Sequence, residues 1–244
     1  MSCWIGAALL VLTCSAPAVA QDADEPPPGW TGSLSVGIAL TSGNTDTSTF
    51  NAAYELEHDA GGRTTFKSTG LHIRGSKDGD LTVDKTALGV RADYRLVDGL
   101  SAFGQTNYLR DRFKEIENLI APTVGLSYEV AKTERVEFSV DSSVGLVFEQ
   151  NTGRLTRTDG AVAAGEKLEL QVTETARVTH SVSSLWKVAD FGDALYTLTA
   201  GIAASVTENS ELKAELQDSY KTRPPTLGLV KNDVSILLSF VYKF

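Results

Sequence analysis

NDVSILLSFVYKF, residues 232–244, alternates without a break. Val234, Ile236, Leu238, Phe240, Tyr242 and Phe244 fall on one face of an extended strand. Ser235, Leu237, Ser239, Val241 and Lys243 fall on the other. Successive side chains of a strand point to opposite sides of the sheet, so this run is a strand with one apolar face. Chain ends of soluble domains usually bury little and fray. Here the pattern is at its fullest at the last residue, which implies that the strand is paired and its apolar face covered.

The same period of two runs back through the chain. In residues 34–40, Leu34, Val36, Ile38 and Leu40 alternate with Ser35, Gly37 and Ala39. In residues 136–149, Val136, Phe138, Val140, Val144, Leu146 and Phe148 oppose Glu137, Ser139, Asp141, Ser143 and Glu149. Twelve segments of this kind can be delimited: 30–41, 47–58, 63–74, 85–96, 100–111, 119–130, 135–150, 158–172, 177–188, 193–206, 211–221 and 232–244. Turns after the even-numbered segments are short, as in VDG at 97–99. Several of those after the odd-numbered segments are longer, as in GSKDGDLTVD at 75–84 and TRPPTLGLVK at 222–231. An even number of strands with short turns at one end and looser loops at the other is the layout of a closed, up-and-down outer-membrane β-barrel.

Alternating strands also build soluble sandwiches, with the apolar face as core. Three features favour the membrane. The polar face is rich in Ser, Thr, Gly and Ala beside charges of both signs, which suits a wet interior. Trp30, Tyr54, Tyr94, Tyr128, Trp186, Tyr220, Tyr242 and Phe244 lie towards segment ends, where interfacial aromatic girdles are expected. Open strand edges cannot stand in hydrocarbon, so the last strand must pair with the one that begins at Trp30.

Export is legible at the other terminus. Residues 1–20 contain no charged side chain, have an apolar middle and close on Ala18-Val19-Ala20. That pattern is a secretory signal peptide cut after Ala20, although it lacks the usual basic residue near the start. Thr13 before Cys14 is a poor fit to a lipoprotein site. Residues 21–29, acidic and then Pro26-Pro27-Pro28, read as a periplasmic tether, since proline neither continues a helix nor pairs within a sheet. The expected organisation is signal peptide 1–20, tether 21–29 and barrel 30–244, with both termini periplasmic. Cys3 and Cys14 are the chain's two cysteines, so the mature chain would hold neither disulfide nor thiolate metal site.

Residues 30–58, with Trp30, Gly32, Gly37 and the Gly43-Asn44-Thr45 corner, resemble the opening of the YdiY-like family, called salt-induced outer-membrane proteins. Residues 232–244 resemble that family's last strand. The resemblance implies an outer-membrane β-barrel of unknown role and carries no catalytic residues. The alternating strand with Phe240, Tyr242 and terminal Phe244 also resembles the signal that bacterial barrel-assembly machinery reads. Deleting Phe244 is expected to lower the rate and yield of membrane insertion more than it lowers the stability of barrels that have inserted. Pulse-chase insertion and urea unfolding measure the two separately, and insertion at the normal rate and yield would refute this role.

Chemistry inside the barrel is sparsely signalled. A net charge of -9 argues against a nucleic-acid partner, which needs a basic footprint. His58, His72 and His180 lie on different segments, none paired at i, i+2, so no metal or other cofactor is expected. THSVSS at 179–184 places His180 beside Ser181 and Ser183, but adjacent strand residues face opposite ways, and on this register His180 faces lipid. Acyl hydrolysis of lipid is therefore a remote reading. The charges expected in the lumen are Glu55, Glu57, Arg91, Asp93, Arg95, Glu137, Asp141, Glu149, Lys167, Glu169, Arg177, Lys187, Lys213 and Glu215. Their mixed signs suit mutual pairing, since isolated buried charges are costly. A plugged, non-enzymatic barrel in contact with outer-membrane lipid and a narrow channel for ions or small solutes both fit. Asp46, alone among hydroxyls at 41–49, is too little charge for a calcium site.

Overall fold

The computed structural model describes residues 29–42, 47–77, 80–226 and 228–244. The expected signal peptide, the Gly43-Asn44-Thr45 corner and Asp46 lie outside the described residues, as does the tether except for Gly29, which opens the first strand.

Twelve strands run in chain order. They are β1 (Gly29–Ser42), β2 (Thr47–Asp59), β3 (Thr64–Lys77), β4 (Asp80–Val97), β5 (Leu100–Asp111) and β6 (Ile116–Lys132), followed by β7 (Val136–Asn151), β8 (Arg157–Gln171), β9 (Ala176–Lys187), β10 (Asp190–Thr207), β11 (Ser210–Lys221) and β12 (Asn232–Lys243). Each pairs antiparallel with its neighbours in sequence, and β12 pairs with β1 to close the barrel. The opening stretch forms that seam: Val36 lies opposite Phe240, and Ile38 opposite Leu238. Beyond the ladder, Gly32 and Phe244 exchange two backbone hydrogen bonds of 3.0 Å.

The even-numbered positions of most strands point outward and stay exposed. Val36, Val124, Val144, Ile202 and Phe240 are examples, with Val124 63% exposed. A continuous apolar band of this kind has no place in water and matches the lipid-facing belt of a membrane barrel. Trp30, Phe66, Tyr94, Tyr128, Tyr242 and Phe244 ring the end of the barrel that carries the two-residue β4–β5 and β10–β11 connections, here the turn rim. Phe50 and Tyr220 are exposed towards the opposite, loop rim, where Trp186 donates a hydrogen bond to Tyr196 at 2.9 Å.

Two expectations are corrected. The connections at the loop rim are mostly short, because the strands run further than their apolar pattern. β3 continues to Lys77 and β4 starts at Asp80, so the 75–84 stretch is ladder rather than loop. Only residues 222–231, between β11 and β12, remain long. Tyr54 does not sit at a strand end either. It lies in mid-belt over Gly70, where an added Cβ would come within 2.2 Å of its ring, and its hydroxyl meets Ser68 Oγ at 3.2 Å. The missing side chain of Gly70 makes the space that the ring fills.

Candidate functional site

The lumen is divided into two unlike halves. Towards the turn rim it is wet and charged. Glu57 and Lys67 pair at 3.1 Å with both side chains nearly half exposed. Arg91 grips Asp93 through two nitrogens, at 2.8 and 2.9 Å, and its guanidinium stacks 3.6 Å over the buried Phe103 ring. Arg177 binds Glu211 at 2.8 Å and reaches Glu169 at 3.8 Å, and Lys243 also bonds to Glu211. Lys213 pairs with Glu215 at 2.5 Å. Arg95 donates to the Gly62 carbonyl. Glu55, Glu137 and Lys167 are exposed, and so stand in the water-filled part. Asp141 and Glu55 line a central chamber of about 530 Å³, whose wall mixes hydroxyls and amides such as Ser35, Asn51, Asn107 and Thr197 with apolar side chains such as Leu71 and Leu237.

Towards the loop rim the lumen is filled. Two apolar clusters occupy it: Ile116, Leu119, Ala121, Val147 and Ala161 with Leu109 and Leu185, and Ile73, Val83 and Leu237 with Leu71. These inward apolar residues were not expected on the lumen side, apart from Leu237 and Val241. Between the clusters, charges tie distant strands together. Lys114, in a 3₁₀ turn over Arg112–Lys114 capped by Asp111, extends across the barrel to β11. There it donates to the Ser219 carbonyl at 2.7 Å and hydroxyl at 3.2 Å, and it pairs with Asp233 of β12 at 3.3 Å. Lys85 of β4 reaches Gln217 of β11 at 2.9 Å. Glu149 of β7, 3% exposed, is held between Lys187 of β9 and Lys221 of β11, the latter at 2.7 Å. Lys187 also binds Asp193 at 2.6 Å.

The β11–β12 loop closes over this layer. Thr226 bonds to Glu115, the Pro225 carbonyl accepts from Arg154 at 2.6 Å, and Arg223 pairs with Asp190. Of the charges singled out in the sequence, the structure brings Glu149 and Lys187 into this layer. The other twelve line the wetter part of the lumen. Lys85, Asp111, Lys114, Lys221 and Asp233 escape a strand-by-strand reading. They sit near strand ends or in connections, and apart from Asp111, which caps the adjoining 3₁₀ turn, they find their partners far away in sequence.

The three histidines face outward, each with its own contact. His58 stacks on Trp30 at 4.5 Å, His72 meets Thr86 Oγ1 at 3.0 Å, and His180 Nδ1 lies 3.2 Å from Glu166. Ser181 and Ser183 point into the lumen, away from His180. Ser184, on the same face, is roughly 13 Å along the strand at ~3.3 Å per residue. No serine of β9 stands within proton-transfer reach of the Glu166–His180 pair.

A family model described as "Protein of unknown function, DUF481" matches residues 34–244. The chain belongs to this family. The uncharacterized protein YdiY of Escherichia coli K12 is 23% identical over 211 residues, which covers 86% of this chain and 82% of YdiY. Among solved structures, the NanC porin superposes with a TM-score of 0.58 at 11% identity, covering 86% of this chain and all of that one. The KdgM porin in complex with disordered oligogalacturonate gives 0.51 at 9% identity, over 87% of this chain and 99% of that one. An outer-membrane channel from Pseudomonas putida F1 gives 0.53 at 13%, over 93% and 100%. At these identities the likeness concerns the fold. The DUF481 chain is a closed, twelve-stranded outer-membrane β-barrel.

Proposed function

We propose that the protein is a non-enzymatic outer-membrane barrel of the salt and envelope-stress type, with its lumen closed at the loop rim. The observation that carries this reading is Lys114, which spans the mouth to Ser219 and Asp233 on the far wall. Buried lysines tied to opposite strands, with apolar clusters packed beside them, support a lumen blocked to solutes at this rim. In this reading the turn rim and both termini face the periplasm, and the chamber opens to that side. Export after cleavage near Ala20 and recognition of β12 by the assembly machinery through Phe240, Tyr242 and Phe244 belong to the same proposal.

A narrow channel for ions or small solutes is the second reading. The chamber and the polar groups on its wall favour it, as does the porin character of the structural neighbours. Conductance in planar bilayers separates the two. The closed reading expects no stepwise current from the folded wild type. Stepwise currents that fall when a bulky residue replaces Ser35 or Thr197 in the chamber wall would overturn it in favour of the channel.

A further inference from the structure

The outer belt contains an acid–base pair inside its apolar band. Gly165, Lys167, Ser181 and Ser183 face the lumen, so Glu166 on β8 and His180 on β9 face outward. Glu166 Oε1 is 3.2 Å from His180 Nδ1, and each side chain is 37% exposed. Val162 and Ala164 follow Glu166 towards the loop rim, and Leu168 and Leu170 towards the turn rim. From Glu166 to the end of β8 at Gln171 is roughly 12 Å of depth, at ~3.3 Å per residue and a strand tilt of about 45°. Tyr94 and Tyr128 mark the band edge three and four residues inside their strand ends, so the pair lies within the apolar band, about 25 Å tall, on the turn-rim side of its middle. Other outward hydrogen-bonded pairs, Tyr54–Ser68 and His72–Thr86, contain no carboxylate. Outward Asp84, which pairs with Arg110 at 3.7 Å, and Asp218 lie towards the loop rim, beside the aromatic band there.

We propose that this face of β8–β10 is the contact between two copies of the chain standing side by side in one membrane. Ionisable groups inside the apolar band are expensive against lipid and normally face protein or a watery cavity. The occupant is argued from charge complementarity. Glu166 and His180 lie on adjacent strands at nearly the same depth. A two-fold axis along the membrane normal, passing between them, sets Glu166 of each copy against His180 of the other. A symmetric contact requires a patch that complements itself, and an acid beside a base does so. Ala200, directly opposite His180 on β10, and Ala164, beside Glu166, keep the surface low, which lets two barrels approach closely. Three and four strands round the barrel from β9, β12 and β1 show lipid the bulky Val36, Ile38, Leu238 and Phe240 instead.

Cysteine cross-linking in native outer membranes tests the contact, because the chain has no cysteine beyond Cys14. Val182→Cys, on β9 directly opposite Glu166 and beside the two-fold axis, is expected to give a covalent species of twice the protomer mass on oxidation, and Val36→Cys is expected to give none. In the Val182→Cys background, Glu166→Leu with His180→Leu should cut that yield at least tenfold. Heat-modifiable gel mobility would show that this variant remains a folded barrel. Absence of the doubled species, a cross-link to a protein of another mass, or an unchanged yield in the folded double-leucine variant would each overturn the proposal.

Discussion

Gly37→Val is expected to prevent the barrel from closing. Gly37 lies on the lumen side of β1, opposite Ser239 of β12, in the seam that joins the two ends of the sheet. A Cβ placed there would stand 1.9 Å from the Leu238 carbonyl oxygen and 2.7 Å from Ser239 Cα. The obstacle is the backbone of the neighbouring strand, which cannot turn aside as a side chain could. Relief requires β1 and β12 to separate. Separation forfeits ladder hydrogen bonds worth about 1 kcal/mol each in water, and more where no water replaces them. Ordinary overpacking costs about 1–3 kcal/mol, and this substitution should exceed that range. The expected result is loss of the compact, heat-modifiable form on gels and no urea-resistant barrel after refolding into lipid. Gly104→Ala is the control. It points to lipid from β5 with nothing within 4 Å of its added Cβ, and it should refold as wild type. If Gly37→Val refolds as readily as Gly104→Ala, the close approach of the seam strands does not govern closure.

The seam also marks where sequence reading succeeds. One apolar face at a period of two exposes the strands directly, because lipid selects every second residue of β1 or β7 in the same way. Closure of β12 on β1 then follows from the lack of tolerated edges in hydrocarbon. The lumen is less legible because it is not uniformly polar. Ile73, Leu119, Val147 and Leu185 are inward and apolar, so their segments are apolar on both faces and the alternation blurs where the plug is built. The charged ties are harder still to read. Lys114 and Asp233 are 119 residues apart and Glu149 and Lys221 are 72 apart, and only the closed ring brings them within bonding distance. The Glu166–His180 contact lies between these cases. Alternation turns His180 outward, whereas the β8–β9 register that places Glu166 diagonally beside it is set by the turn between the strands. Strand ends fail for a different reason. Beyond the lipid belt nothing selects for an apolar face, yet the ladder of β3 and β4 continues to Lys77 and Asp80.

The largest effect expected inside the lumen is at Glu149. Its carboxylate is the shared partner of two lysines whose side chains are themselves almost fully buried, 9% exposed for Lys187 and 5% for Lys221. Glu149→Leu keeps the volume but removes the negative charge. Lys187 retains Asp193, whereas Lys221 is left as a buried ammonium without its carboxylate. Breaking a buried ion pair from one side typically costs about 3–5 kcal/mol, and that is the loss of unfolding free energy expected here. Urea unfolding in lipid vesicles would measure it. Removing both charges should behave differently, since replacing a whole buried pair with apolar groups of similar size is often neutral or stabilising. Glu149→Leu combined with Lys221→Met is therefore expected to recover most of the loss, to within about 1 kcal/mol of wild type. The contrast between the single and double substitutions separates a pairing requirement from simple loss of packing. If the single substitution leaves stability unchanged, or the double is as damaging as the single, the carboxylate does not hold the two lysines in the closed layer as a charged unit.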